Sequence, residues 1–180
     1  ISLGSVLKSL NIPFSGAVLS AIGLLIVLVG RSFVPQKGST LFIGVIATLL
    51  KLFSLGGVII GPMVGIISEA LVAEIVLSLL GSPRRFSFIL AGALGVAWCL
   101  AQPFVTGPLL FGRTLFVVWL DLLDTGTRFL GLDANAAFAI VAALLAIYLS
   151  IGGVVGWLGW DLARQLKVRM GRPQIEALRS

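Results

Sequence analysis

The sequence predicts an all-α fold, a polytopic membrane helix bundle that forms a single transmembrane domain over residues 1–180. The first observation is composition: 58% of the residues are hydrophobic and only 11% are charged, whereas soluble domains are about half apolar and a quarter charged. The second is length, because several apolar runs approach the about 20 residues with which a helix crosses the about 30 Å hydrocarbon layer. The third is number, since six such runs predict six transmembrane helices.

The first three predicted spans are Phe14–Val29, Thr40–Phe53 and Val58–Leu80. Residues 1–13 precede them as a short interfacial lead-in that is broken at its end by proline. The second span is short and holds Lys51 near its end, from which a lysine side chain can reach the interface. Pro62 fits the first turn of the third helix, where its missing N–H costs nothing.

The fourth and fifth predicted spans are Phe86–Gln102 and Leu109–Leu123. Pro103 closes the fourth, and the segment 106–108 is predicted to be a turn. The fifth contains a glycine, an arginine and an aspartate within its 15 positions, so it can instead form an amphipathic helix at the interface. The alternative architecture is therefore five transmembrane helices plus one interfacial helix.

The sixth predicted span, Ala136–Leu158, follows a polar loop over residues 124–135, in which Asp133 is the predicted N-cap. Trp157 and Trp160 mark its end as an interfacial aromatic belt. Residues 161–180 form a basic cytoplasmic tail. Six spans place both termini on one side of the membrane, and the arginines and lysines of the tail predict that this side is the cytoplasm.

The residue inventory predicts that the chain is not an enzyme and holds no cofactor or metal. There is no histidine, Cys99 is the only cysteine, and neither a Walker loop nor a Gly-x-Ser-x-Gly motif occurs. Any energy for transport must then come from a partner or an ion gradient. The net charge of +6 comes largely from the tail, so it indicates topology and no nucleic-acid partner.

Two carboxylates inside the third span, Glu69 and Glu74, are the first candidates for binding substrate. Ionisable groups at membrane depth are costly and usually functional. Their five-residue separation sets them about 140° apart around a helix, so they do not share a face. Glu69 lies on a stripe of small residues with Gly65 and is expected to be the more buried. The alternative is a structural ion pair with Lys51 or Arg113.

Four further residues are candidates for contact with a ligand. Trp98 and Gln102 lie one turn apart in the fourth span, where they offer a ring for stacking and an amide for hydrogen bonding. Trp119 and Asp121 form a similar pair in the fifth. The alternative for each pair is ordinary packing in the core or at the interface.

Small residues line one face of the first span: Gly16, Ala17, Ser20 and Ala21. Small side chains at positions i and i+4 allow helix backbones to approach closely in lipid. We predict that this face docks another membrane subunit. Packing within the chain itself is the alternative.

These patterns resemble the substrate-binding membrane subunit (S component) of energy-coupling factor (ECF) transporters. The resemblance rests on the small-xxx-small face Ala17–Ala21, the opening Gly61-Pro-Met-Val-Gly65 of the third span, the chain length and the topology. It implies a bacterial cytoplasmic-membrane protein that captures a vitamin-sized molecule from outside beneath its extracytoplasmic loops. It also implies a transmembrane coupling subunit and ATPases on separate chains. The absence of histidine departs from the nickel and cobalt branch of that family.

Two other classes of function stay open at this point. One is a small accessory subunit of a larger membrane complex, which binds only protein and lipid. The other is an ion-coupled secondary carrier that uses Glu69 or Glu74 as its proton site. A cavity of vitamin size favours the S component, whereas a filled core favours the accessory subunit.

Overall fold

A computed structural model describes residues 15–53, 60–81, 84–131 and 136–177 of the chain. These residues form only helices, without a strand, which confirms the all-α class. We number them in chain order: α1 Ser15–Phe33, α2 Ser39–Leu52, α3 Ile60–Leu79, α4 Arg85–Phe111, α5 Leu115–Leu130 and α6 Ala137–Ala177. The predicted lead-in 1–13 and the predicted N-cap Asp133 lie outside the described residues.

Four of the helices, α1, α3, α4 and α6, are long and apolar enough to cross a membrane. Helix α2 is also apolar but shorter. Large apolar side chains lie exposed on the outside of the bundle, as on Ile26, Leu50 and Phe138, where lipid replaces water as the solvent. The chain is a multi-pass membrane protein.

The closest helix contact joins α4 to α6 through glycine. Gly92 faces Gly152, and Gly156 lies against the backbone of Phe88. A Cβ atom at any of these three glycines would overlap backbone atoms of the opposite helix. Close backbone approach at small residues is a common means by which helices associate in lipid. Because 92 faces 152 while 88 faces 156, α4 and α6 run antiparallel.

Helix α1 runs parallel to α6, as two contacts between them show. Leu28 packs against Gly159, and the Lys167 ammonium lies 6.0 Å from the centre of the Phe33 ring. Contact positions therefore rise together along the two helices. Helix α3 runs parallel to α1, since Ser20 meets Glu69 and Arg31 meets Glu74.

Helix α5 lies across one end of the bundle and does not span it. Val118, near its start, packs against Gly107 of α4, and Gly126, near its end, packs against Ile140 of α6. Both contacts lie where α4 ends and α6 begins, which we call the α5 end. Helix α5 has 16 residues and is not among the described helices long and apolar enough to cross a membrane. Its position favours the alternative of an amphipathic helix over the fifth predicted span, Leu109–Leu123.

The bounds of two helices also differ from the prediction. Helix α4 continues through Pro103 and Pro108 to Phe111, so neither the stop at Gln102 nor the turn at 106–108 is present. Prolines are tolerated in membrane helices because neighbouring groups satisfy the freed carbonyls. Helix α5 continues to Leu130 where a loop was predicted from 124, and α6 extends as helix through the predicted tail to Ala177.

The directions of the described helices can be compared with the predicted topology. Helices α1, α3 and α6 run in one direction, and α2 and α4 run in the other. Ser15 accordingly lies toward the α5 end and Ala177 beyond the opposite end. The described helices thus begin and end at opposite ends of the bundle. Residues 1–14 and 178–180 lie outside the described residues, and the side on which each terminus lies stays a prediction.

Candidate functional site

A cavity of about 490 Å³ lies at the α5 end, between α4, α5 and α6. Its volume falls within the roughly 300–1,000 Å³ of sites that bind small molecules. Most of the wall is apolar: Leu100, Pro103, Phe104, Phe111, Val118, Leu122 and Leu144. The polar members are Cys99, Thr106, Arg113, Asp121, Thr125 and Tyr148. An apolar wall with a few polar groups is the composition expected of a ligand site.

An ion pair between Arg113 and Asp121 marks the mouth of the cavity. Arg113 Nη1 donates to Asp121 Oδ2 at 2.8 Å, and the two side chains are 56% and 59% exposed. Gly112 adopts a left-handed conformation, with φ of 60°, which ends α4. Arg113 is the next residue, and this turn brings it opposite the second turn of α5.

The two threonines of the wall present oxygen acceptors. Thr106 Oγ1 donates to the Gln102 carbonyl at 3.0 Å, and Thr125 Oγ1 donates to the Asp121 carbonyl at 2.8 Å. Each hydroxyl proton is thus directed at the helix backbone, and the oxygen lone pairs stay available. The cavity wall therefore includes neutral acceptors besides the single ion pair.

A second polar group, centred on Glu69, lies directly behind the cavity wall. Ser20 Oγ donates to Glu69 Oε2 at 2.7 Å, and Cys99 Sγ donates to Oε1 at 3.2 Å. Cys99 also lines the cavity, so its side chain separates the carboxylate from the cavity space. Glu69 makes no ion pair within the described residues.

Glu74 has a structural role at the opposite end of α3. Its carboxylate accepts from the backbone N–H of Gly38 at 2.7 Å, from that of Thr40 at 3.0 Å and from Ser78 Oγ at 2.6 Å. The first two groups begin α2, whose N-terminus has no cap of its own. Arg31 adds an ion pair at 3.6 Å.

The two carboxylates differ in the way they are buried: Glu74 exposes less surface, whereas more of the protein surrounds Glu69, as predicted. Glu74 is only 7% exposed, whereas Glu69 is half-buried. Glu74 exposes little surface because it binds backbone N–H groups at the α2 N-terminus and also pairs with Arg31. The structural alternative holds for Glu74, although its partner is Arg31 and not Lys51 or Arg113.

Trp98 and Gln102 bind α3, not the cavity. Trp98 Nε1 donates to Ser68 Oγ at 2.8 Å, and Gln102 Nε2 donates to the Gly61 carbonyl at 3.3 Å. The Gln102 amide packs on Gly65, where a Cβ atom would lie 3.0 Å away. These contacts fit the alternative of core packing.

Of the six predicted ligand residues, Asp121 alone lines the cavity. Trp119 is half-buried on the neighbouring turn of α5 and is not part of the wall. Sequence reasoning missed Thr125, although its spacing of four from Asp121 gives both the same helix face. It also missed Tyr148, which no local pattern distinguishes from other apolar positions of α6.

The small-residue face of α1 is covered by the chain's own helices. Ala17, Ser20 and Ala21 are buried, with exposures of 0%, 7% and 8%, and Ser20 contacts α3. The predicted docking role does not fit these three residues, because no surface is left for a partner. Gly16, at the edge of the face, is exposed.

No group of three or more acidic, cysteine or histidine side chains lies close enough to hold a metal ion within the described ranges. Comparison of the chain with protein-family models, with curated proteins and with solved structures finds no match.

Proposed function

We propose that this chain is the substrate-binding membrane subunit of an ECF-type importer and that it captures a vitamin-sized molecule in the cavity at the α5 end. The observation that carries the proposal is the cavity itself, about 490 Å³ and walled by three helices. An accessory subunit that binds only protein has no need of such a space. The volume suits a small molecule with one or two rings.

The charge distribution supports an outward-facing cavity. Among the side chains that the structure describes, seven basic ones lie toward the end opposite α5, with Glu74 and Asp161: Arg31, Lys37, Arg84, Arg85, Arg164, Lys167 and Arg169. Three described basic side chains lie at the α5 end, Lys51, Arg113 and Arg128, together with Asp121 and Asp124. By the positive-inside rule the more basic end faces the cytoplasm. In a bacterial cytoplasmic membrane the cavity then opens outward, with α5 covering it on that side.

The proposed importer takes its energy from other chains. A transmembrane coupling subunit and ATPases are the partners that the resemblance implies, and this sequence contains no nucleotide-binding motif. Since Ala17, Ser20 and Ala21 are buried, the proposal requires that the coupling subunit contact another surface of the bundle.

Native mass spectrometry of the purified protein tests the proposal. We expect a small molecule to co-purify with the wild type and with Leu120→Trp, whose exposed side chain lies outside the cavity wall. Thr125→Trp should abolish that binding, because the indole fills the space beside α5. Affinity purification from the native membrane should also recover an ATPase. A wild-type protein without a bound small molecule, recovered only within a larger complex that lacks an ATPase, would support the accessory subunit instead.

The environment of Glu69 favours one second candidate, an ion-coupled carrier. The carboxylate lies behind Cys99, beside the cavity, and has no cationic partner within the described residues. A proton is the simplest ion to neutralise it. Uptake by the chain alone in liposomes, driven by a pH gradient and lost in Glu69→Gln, would favour the carrier over the importer subunit.

A further inference from the structure

We propose that the cavity selects a molecule with no net charge, built of a flat apolar body and a head group that meets a cation and an anion at once. This inference rests on the proposed function and names the substrate class of the same site. The class includes aromatic zwitterions and neutral aromatic amides.

The body of the ligand follows from the apolar wall. Three helices contribute apolar side chains to the wall: α4 through Phe104 and Phe111, α5 through Leu122 and α6 through Leu144. Two phenyl rings favour an aromatic partner, since offset or edge-on ring contacts add to the gain from burial. The volume of about 490 Å³ accommodates a bicyclic ring with a short side chain.

The head group follows from the pair at the mouth. Among the described residues of the wall, Arg113 and Asp121 are the charged members, one of each sign. Both are more than half exposed, so their mutual attraction is weak and opening the pair costs little. A ligand over the pair removes water from both groups. A head with a single charge then satisfies one of them and leaves the other unpaired.

A zwitterionic or amide head avoids that cost. A carboxylate or carbonyl oxygen accepts from the Arg113 guanidinium, while an ammonium or amide N–H donates to the Asp121 carboxylate. The rest of the polar wall does not alter the balance, because Thr106 and Thr125 are neutral. Glu69 contributes no lining atom, since Cys99 stands in front of it.

Four probes with one indole ring and different head groups test the proposal. Tryptophan is a zwitterion, indole-3-acetamide is neutral, tryptamine is a cation and indole-3-acetate is an anion. We expect the purified full chain to bind the first two about fivefold more tightly than the last two, by titration calorimetry. Equal affinity for a charged probe, or no binding of any of the four, would overturn the proposal.

Variants of the pair should redirect the preference. Asp121→Asn leaves Arg113 in place and should make indole-3-acetate bind more tightly than tryptamine. Arg113→Gln should reverse that order. Asp124→Asn is the matched control, because Asp124 pairs with Arg128 at 3.1 Å on the same helix but outside the wall. An order that is unchanged in the first two variants, or shifted equally in the control, would contradict the assignment.

Failure of this inference is distinguishable from failure of the proposed function. A co-purifying molecule with a net charge, lost in Thr125→Trp, would overturn the charge-neutral class while the binding subunit stands. A protein that carries no small molecule in any preparation and binds none of the probes would overturn both.

Discussion

Ser20 of α1 donates a hydrogen bond from its hydroxyl to the Glu69 carboxylate of α3, with 2.7 Å between Oγ and Oε2. Because Cys99 of α4 contacts the other carboxylate oxygen at 3.2 Å, one side chain joins three helices. The small side chain at position 20 thus lets the Glu69 carboxylate of the same chain approach α1, where a partner subunit had been predicted. This group adjoins the cavity, because Cys99 both contacts Glu69 and lines the cavity wall.

We expect Ser20→Ala to lower the free energy of unfolding by about 1 kcal/mol, because Glu69 loses the shorter of its two hydrogen bonds. The measurement is unfolding in mixed micelles by titration with a denaturing detergent. Ser150→Ala is the control, as its exposed hydroxyl donates only to the Ala146 carbonyl one turn before it. Equal losses in the two variants would mean that the Ser20 contact contributes nothing specific.

Glu74 should be the more important carboxylate for stability. Glu74→Ala removes the acceptor for two backbone N–H groups of α2 and leaves Arg31 buried without its ion pair, at a cost of about 3 kcal/mol. Glu74→Gln retains one acceptor oxygen and should cost less.

The control for Glu74 is Asp124→Ala, which breaks an exposed pair and should cost less than about 1 kcal/mol. Hydrogen exchange should show the loss first at the beginning of α2. Unaltered exchange there in Glu74→Ala would contradict the capping role.

The α4–α6 contact should not tolerate a methyl group. Gly156→Ala places a Cβ atom against the Phe88 backbone, which cannot move aside as a side chain can, and overpacking of this kind costs roughly 1–3 kcal/mol. Gly153→Ala is the matched control, because its nearest neighbour, Ile89 Cγ2, would lie 3.9 Å away. Thermal unfolding followed by circular dichroism should give a lower midpoint for Gly156→Ala than for Gly153→Ala. Equal midpoints would show that α4 and α6 can move apart to accommodate the added methyl group.

Periodicity and composition were sufficient to predict the fold class, because a long apolar segment in lipid satisfies its backbone hydrogen bonds by forming a helix. They were insufficient for α5. The helix around Asp121 is mostly apolar with a few polar residues among them, and an amphipathic helix lies equally well across a bundle or against its interior. The helix end predicted at Pro103 was also wrong. Proline ends most helices of soluble proteins, but within a membrane bundle neighbouring helices can satisfy the backbone groups that proline leaves unpaired.

The site was less predictable than the fold. Arg113 and Asp121 are adjacent only because a left-handed glycine at 112 turns the chain, and Tyr148 comes from a distant helix. Glu69 and Glu74 were visible as costly residues, but their roles depend on what meets them. Those neighbours, Ser20 and Arg31, are separated from them in sequence by more than 40 residues.

Accessibility from the two sides of the membrane should follow five crossings and an outward cavity. Single cysteines replace Lys37, Gln165 or Arg128, all exposed, in a Cys99→Ser background whose hydroxyl can still donate to Glu69. In intact cells a membrane-impermeant maleimide should label the cysteine at 128. Those at 37 and 165 should react only after permeabilisation, since α1 and α6 run parallel and end on the same side. Six crossings would instead place 37 and 165 on opposite sides. Labelling of 37 but not 165 in intact cells would therefore overturn both the interfacial position of α5 and the outward opening of the cavity.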